Sequence, residues 1–289
     1  MKMPTESGLQ IAKVQFDQAQ ENEQEPSPAS MLFKVGEPEH MQEFANGTLY
    51  CNSLRYFTDP SNAAKLCFDA NEELIGVYQR EHIRELRIAS SGREPIVIGA
   101  SSLAAPIRIG RKNDVRLFCM YAVHPGPWRE VFDERKLPSF LNYITIKTRI
   151  VGFGLSVALV IDIPAFVKRV RAAADALDIH NSGGLVRYVD LKGTSGMFPE
   201  RQLGRIKDKA YEDEREYRFI FSKPEGLDEP LRLNVGSLRD IVKVVTWTNF
   251  SRGARFRFPG EFYLRYLVRP KRFPRKLKKR LKRHDSAGA

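Results

Sequence analysis

Arg116-Leu117-Phe118-Cys119-Met120-Tyr121-Ala122-Val123 decides how the chain is read. After Arg116 every residue is apolar or aromatic, the content of a central strand buried on both faces rather than of a half-solvated one. Working outward, the neighbouring runs are short, β-prone and separated by Gly and Pro: IRELRI (83–88), PIVIG (95–99) and PIRIG (106–110) before it, then SVALVID (156–162) after the loop His124-Pro125-Gly126-Pro127. Further out lie MLFKV (31–35) and TLYCN (48–52) on one side, and LVRYVDL (185–191), EREYRFIFS (214–222), PLRLNVG (230–236), VKVVTW (242–247) and FYLRYLV (262–268) on the other. Turns are expected at Lys223-Pro224-Glu225-Gly226 and at Pro259-Gly260, and Gly183-Gly184 is expected to break the chain before LVRYVDL.

Helical signals are fewer. Glu37 to Ala45 carries Pro38 in its first turn and ends at Asn46-Gly47. A second helix starts at Asp162, whose side chain can cap it, has Pro164 in its first turn and sets Phe166, Val167, Val170, Ala174 and Leu177 on one face. Many strands, few helices and no βαβ alternation predict an α+β fold, a mostly antiparallel or mixed β-sheet flanked by two or three helices. No internal repeat is present.

The two ends differ from the body. Residues 1–30 hold two Lys against five acids; within them Leu9, Ile11, Val14 and Phe16 can form either a short strand or an anchor, and 17–30 read as a flexible acidic linker. Residues 265–289 read as a basic tail, with eleven Lys and Arg and no acid between 265 and 284. Residues 31–264 are expected to form a single α+β domain. The formal net charge of +12 is thus mostly a property of the tail. No apolar stretch reaches the roughly 20 residues of a membrane span, and the N-terminus has no apolar leader, so a cytoplasmic location is expected. Cys51, Cys67 and Cys119 are odd in number and set among apolar residues, and are read as reduced core residues.

Several reaction classes need patterns this chain lacks: a phosphate loop, a Gly-x-Gly-x-x-Gly turn, a nucleophile elbow, or His and Cys pairs at zinc spacing. No metal is predicted. The densest polar constellation is Lys207-Asp208-Lys209-Ala210-Tyr211-Glu212-Asp213-Glu214-Arg215-Glu216-Tyr217-Arg218. On a strand Glu214, Glu216 and Arg218 share one face, and two carboxylates so placed can do acid–base or cation-stabilising work. The same charges can instead pair on a solvated sheet face without function. Asp69, Glu72 and Glu73 form a second acidic cluster; such residues commonly cap turns, and Asp69 and Glu73 with Glu214 and Glu216 are also a conceivable nuclease set. Lys34, Tyr50, Tyr56 and Phe57 lie around the first two strands. In the tail, Arg269, Lys271, Arg272, Arg275, Lys276, Lys278, Lys279, Arg280, Lys282 and Arg283 suit nucleic-acid phosphates, and Arg255, Arg257 and Arg265 alternate with Phe256, Phe258 and Tyr266. An acidic lipid surface or no partner are the other readings of the tail.

In order, LFKVGEPEHMQEFANGTLYCNSLRYF, DANEELIGVY, RLFCMYAV, ALVIDIPAFVKRVRAAADAL, GGLVRYVDL, KDKAYEDEREYRFIF and LNVGSLRDIVKVV resemble a family of bacterial and phage-encoded proteins. That likeness spans roughly 31–247, and its sharpest motifs are the Asn-Gly-x-Leu opening segment and the Lys-rich run closing on Glu-x-Glu-Tyr-Arg; it supplies an order of segments, not a reaction. A more distant likeness is to ADP-ribosyltransferases, at Leu32-Phe33-Lys34-Val35, Asn46-Gly47-Thr48-Leu49-Tyr50 and Glu214-Arg215-Glu216-Tyr217. The resemblance implies NAD as substrate, Glu216 as catalytic residue with Glu214 aiding the acceptor, Lys34 toward the cofactor's phosphates, and Tyr50 or Tyr56 against nicotinamide. Such transferases carry Arg or His where this chain has Lys34, which lacks the planar fork of Arg. The likeness implies a toxin or a phage-conflict role on a nucleic-acid or ribonucleoprotein target; the alternative is a non-catalytic nucleic-acid-binding protein acting through its tail.

Overall fold

The structure is a computed structural model that describes residues 29–90, 93–103, 105–110, 115–124, 137–146, 148–199, 202–222, 229–253, 256–257 and 263–264. The N-terminal anchor and linker, the turns expected at 223–226 and 259–260, and the basic tail lie outside the described residues. The fold is α+β, as the alternation of short strands predicts.

The opening segment forms β1 (Met31–Gly36), α1 (Pro38–Ala45) and β2 (Thr48–Ser53). Pro38 occupies the first turn of α1, and Gly47, at φ 103°, turns the chain into β2. After α2 (Leu54–Thr58), β3 (Leu74–Tyr78), β4 (Glu85–Ser90), β5 (Arg93–Gly99) and β6 (Ile107–Gly110) form two small antiparallel sheets, β4–β5 and, with a later strand, β3–β6. The deciding run becomes β7 (Val115–Val123). Two short helices follow, α3 (Leu137–Ile144) and α4 (Thr148–Val151), then β8 (Ser156–Val160) and α5 (Ile163–Asp175). Asp162 Oδ1 accepts from the Ala165 N–H at 2.9 Å, the expected cap. Phe166, Val170 and Ala174 are buried on one face of α5, whereas Leu177 is exposed because the helix has already ended.

The last part comprises β9 (His180–Leu185), β10 (Arg187–Val189), β11 (Gly196–Met197), β12 (Ile206–Asp208), β13 (Glu216–Ser222), β14 (Leu231–Asn234), β15 (Val242–Thr246), α6 (Trp247–Gly253), β16 (Phe256–Arg257) and β17 (Tyr263–Leu264). The β10–β12 pair is parallel, so the strands are antiparallel with one parallel exception among the described residues. Two expectations need correction. Gly183 and Gly184 do not break the chain but lie within β9, where a Cβ on Gly183 would meet the Tyr217 hydroxyl at 2.7 Å and the Phe219 ring at 3.2 Å. The EREYRFIFS strand starts at Glu216 rather than Glu214, because residues 209–214 wind into a 3₁₀ turn and Arg215 adopts a left-handed conformation.

The principal sheet explains where a site can form. β13 pairs with β7 along its whole length, from Glu216 opposite Tyr121 to Ser222 opposite Val115. On the other edge of β7 two strands share the space: β1 pairs with residues 121–123 and β2 with 116–117. Beyond these contacts β1 continues along β8 and β2 along β14. The sheet therefore splits, leaving Phe118, Cys119 and Met120 without a strand partner on that edge among the described residues.

One face of the sheet packs Leu32, Phe118, Met120 and Phe219 against Met41 and Phe44 of α1 and Phe166 and Val170 of α5. The other face packs Phe33, Tyr121 and Val157 against Trp247, Phe250, Ile144 and Val151. Both groups are fully buried, each such side chain contributing about 1.5–3 kcal/mol. The split lies between them.

Candidate functional site

The split opens into a cavity of about 230 Å³. Lys34 and Val35 wall it from β1, Tyr50 and Asn52 from β2, Cys119 from β7, and Glu216 and Arg218 from β13. Tyr56, Cys67, Glu72, Lys207 and Glu214 complete it. The sequence-predicted Lys34, Tyr50, Tyr56, Glu214 and Glu216 therefore border one space, although the chain places them up to 182 residues apart.

Lys34 answers the unpaired edge directly. Its Nζ donates to the Cys119 carbonyl at 2.8 Å, a group that strand pairing would otherwise use, and lies 4.5 Å from the centre of the Phe118 ring. No carboxylate is within ion-pair distance of Lys34 among the described residues. Burial lowers its pKa, against the opposing pull of the Cys119 and Cys51 thiols and Glu216. Among the described residues, two of its three N–H donors remain available to a ligand.

The floor of the cavity is a buried charge network. Lys207 Nζ lies 2.6 Å from Glu214 Oε2, 2.7 Å from Glu216 Oε1 and 3.3 Å from Glu72 Oε1. Arg218 donates Nε to Glu216 Oε2 at 2.7 Å, Nη1 to Glu72 Oε2 at 2.7 Å and to the Gly204 carbonyl at 2.8 Å, and Nη2 to Glu72 Oε1 at 2.6 Å. Arg149 Nη2 reaches Glu214 Oε1 at 2.9 Å from the solvent side. Glu72 and Arg218 are 2% and 1% exposed, so this is not a solvated ion-pair face. The same residues that could have been surface pairs are desolvated, where pairing is obligatory.

The two carboxylates are driven apart in acidity. For Glu214, burial and the neighbouring Glu216 charge outweigh Lys207, and its pKa is pushed up to about 7. For Glu216, burial works against the charge, but Arg218 and Lys207 prevail and hold it well below the usual carboxylate range. Lys207 is pulled toward the neutral form by burial, yet Glu216, Glu72 and Glu214 raise its pKa well above the usual lysine value. Near neutrality the site thus holds one fixed carboxylate beside one that titrates, an arrangement suited to acid–base chemistry.

Local structure delivers this geometry. Glu214 ends the 3₁₀ turn and is not on the strand face expected of it; the left-handed Arg215 reverses the backbone so that Glu214 and Glu216 still meet at Lys207. The backbone N–H of Glu216 donates to the Tyr188 hydroxyl at 2.8 Å. Asp69 Oδ1 accepts from the Asn71 N–H at 2.9 Å, the turn expected there, and that turn carries Glu72 rather than Glu73 into the network. At the mouth, Tyr50 is 42% exposed beneath Arg232, and Tyr56 is pinned by Lys65 through its ring and its hydroxyl. Cys67 and Cys119 border the cavity, whereas Cys51 is a core residue; all three are unpaired thiols.

Lys207 and Arg218 stand inside the charged run that the sequence singles out, and Glu72 inside the acidic cluster. Arg149 carries no sequence signal at all. The tail residues 269–283 lie outside the described residues. No helix among the described residues is long and apolar enough to cross a membrane. Comparison with protein-family models, with curated proteins and with solved structures returns no match.

Proposed function

We propose that the protein cleaves the nicotinamide–ribose bond of NAD and transfers ADP-ribose, and that the cavity at the sheet split is where it does so. The observation that carries this reading is the convergence of a half-buried ammonium with no ion-pair partner among the described residues, two aromatic rings and two carboxylates of unequal acidity on one space. A volume of about 230 Å³ falls below the roughly 300–1,000 Å³ of pockets that engulf whole small molecules, which suits one end of a dinucleotide with the remainder at the open mouth.

In this reading Tyr50 or Tyr56 stacks on the nicotinamide ring, and Lys34 offers its two free N–H donors to a phosphate. Glu216, kept ionised by Lys207 and Arg218, accepts a ribose hydroxyl with a remaining lone pair and opposes the positive charge that develops on the sugar. The bond from the sugar carbon to the ring nitrogen breaks with its electron pair on the nitrogen, so nicotinamide leaves neutral, while a bond forms from the acceptor oxygen or nitrogen to the same carbon. Glu214, in its ionised fraction near pH 7, takes the proton the acceptor sheds. The basic tail recruits a nucleic-acid or ribonucleoprotein target through its phosphates.

Incubation with NAD labelled in the adenylate part, with RNA, DNA and protein acceptors, tests the reading. Label transfer or nicotinamide release is expected, and Glu216→Gln should reduce it at least a hundredfold while the melting transition persists. Equal turnover by Glu216→Gln and the parent chain would refute the assignment. No turnover by either, with salt-sensitive nucleic-acid binding that requires the tail, would favour a non-catalytic binding protein.

A further inference from the structure

A second cavity, about 490 Å³, also has Glu216 in its wall and is bordered by Arg215, Tyr143 and Tyr188. Arg215 is only 7% exposed, yet its guanidinium makes no ion pair among the described residues, and Nη1 is buried without a partner. Glu212 and Asp213 also border the cavity, as exposed residues, and neither comes within ion-pair distance of Arg215. A buried cation left unpaired with two carboxylates so near is a costly arrangement that an incoming anion would relieve.

The geometry favours one kind of anion. The guanidinium rests on the Tyr143 ring, 4.2 Å from its centre. Stacking uses the face of the group and leaves its in-plane N–H donors free, a fork that matches phosphate or carboxylate oxygens. The Tyr188 hydroxyl, also in the cavity wall, accepts from the Glu216 N–H and keeps its own proton to give. The guanidinium fork and this hydroxyl together suit a group with several oxygens. The exposed acids at the rim disfavour a continuous phosphodiester track, while one deep guanidinium suits a single terminal group. Arg215 is also left-handed, φ 42°, a conformation that Gly or Asn adopts at lower cost.

We propose that this second cavity binds a terminal phosphate monoester of a nucleotide or nucleic-acid end, and that it is the acceptor side of the site. Calling it the acceptor side rests on the NAD reading; the phosphate site itself does not. Calorimetric titration of the full chain with UMP, uridine, inorganic phosphate and a 5′-phosphorylated single-stranded oligonucleotide tests it, with Arg215→Asn, which tolerates the left-handed backbone, and Arg215→Lys, which keeps charge without the fork. UMP and the phosphorylated oligonucleotide should bind, uridine at least tenfold more weakly. Arg215→Asn should weaken UMP at least tenfold and Arg215→Lys by less, with melting temperatures near the parent's. UMP binding indifferent to both substitutions, or uridine equal to UMP, would overturn the proposal. Inorganic phosphate binding as tightly as UMP would overturn its nucleotide part. Failure of the NAD reading is read separately, from nicotinamide release by Glu216→Gln.

Discussion

Replacing Glu72 by Gln removes one charge from the least accessible part of the site. The parent carboxylate accepts two bonds from Arg218, at 2.6 and 2.7 Å, and lies 3.3 Å from Lys207 Nζ. With an amide there, one N–H₂ group faces cationic donors and two buried cations keep only Glu214 and Glu216 for neutralisation. Breaking one side of a buried ion pair costs about 3–5 kcal/mol. Gln retains the shape and one acceptor oxygen, so the lower end applies, about 3 kcal/mol. At about 2–4 °C per kcal/mol for chains somewhat smaller than this one, the melting temperature should fall by about 6–12 °C. Urea unfolding followed by far-UV circular dichroism measures the loss, with Glu43→Gln as reference, since the Glu43–Arg232 pair is exposed. A double-mutant cycle with Glu72→Met and Arg218→Met should show the paired change costing less than the sum of the single ones. If Glu72→Gln is no more destabilising than Glu43→Gln, or the cycle is additive, the cluster does not act as one buried network and the argument for its fixed protonation pattern fails.

Three further outcomes follow from the same structure. The pKa of Glu214 rises in the fold from its ordinary 4.5 to about 7, so between those values the folded chain holds a proton that the unfolded chain releases; stability should decline as pH rises through that window, and Glu214→Gln should flatten the decline in unfolding curves taken from pH 4.5 to 8. Glu216 acts with the opposite sign, its contribution being present above the ordinary carboxylate value and lost as pH falls through its depressed one. A methyl group at Gly47 would lie 2.0 Å from the Gly236 carbonyl oxygen at a φ of 103°, so Gly47→Ala should cost about 3 kcal/mol or more in thermal or urea unfolding. Removing residues 269–289 should shrink the slope of log affinity for single-stranded RNA against log salt by about 0.7 for each phosphate that the tail neutralises; an unchanged slope would take the tail out of nucleic-acid binding.

How much of this was legible in the sequence follows from which forces are local. Strand and helix identities along β1, α1, β2, β7, β8 and α5 are readable because periodicity, Pro38 and the Asp162 cap act within a few residues. The start of β13 is not, since a 3₁₀ turn and one left-handed residue override the alternation that Glu214, Glu216 and Arg218 display on paper. Gly183-Gly184 reads as a break because nothing local reveals that Tyr217 and Phe219 will lie across it. In the site, Lys34, Tyr50, Tyr56, Glu214 and Glu216 are singled out only by a resemblance of short segments, since residue type alone reads the aromatics as core and the acids as structural ion pairs; the cavity brings all five together. Glu72 looks like a turn residue because its neighbours Asp69 and Asn71 are one, and its other role depends on Arg218, 146 residues away. Whether charges pair in water or in the interior is decided by tertiary packing, which a run of charged letters does not encode.

The network and the sheet split belong to one problem. Where β1 and β2 part, β7 loses a neighbour over Phe118–Met120 and its backbone needs another partner; Lys34 supplies one, and the cavity remains. An apolar plug would fill that gap at less cost than ions, since replacing a buried ion network by well-packed apolar residues is often neutral or stabilising. What an apolar plug cannot do is keep two carboxylates within reach of one ammonium while giving them different protonation states. Lys207 and Arg218 clamp both oxygens of Glu216, whereas Glu214 shares Lys207 and takes its remaining contact from the half-exposed Arg149. Burial raises both carboxylates; the two cations fixed on Glu216 reverse that rise, whereas on Glu214 burial and the Glu216 charge outweigh Lys207, and this difference is the feature of the cavity that stability alone does not require.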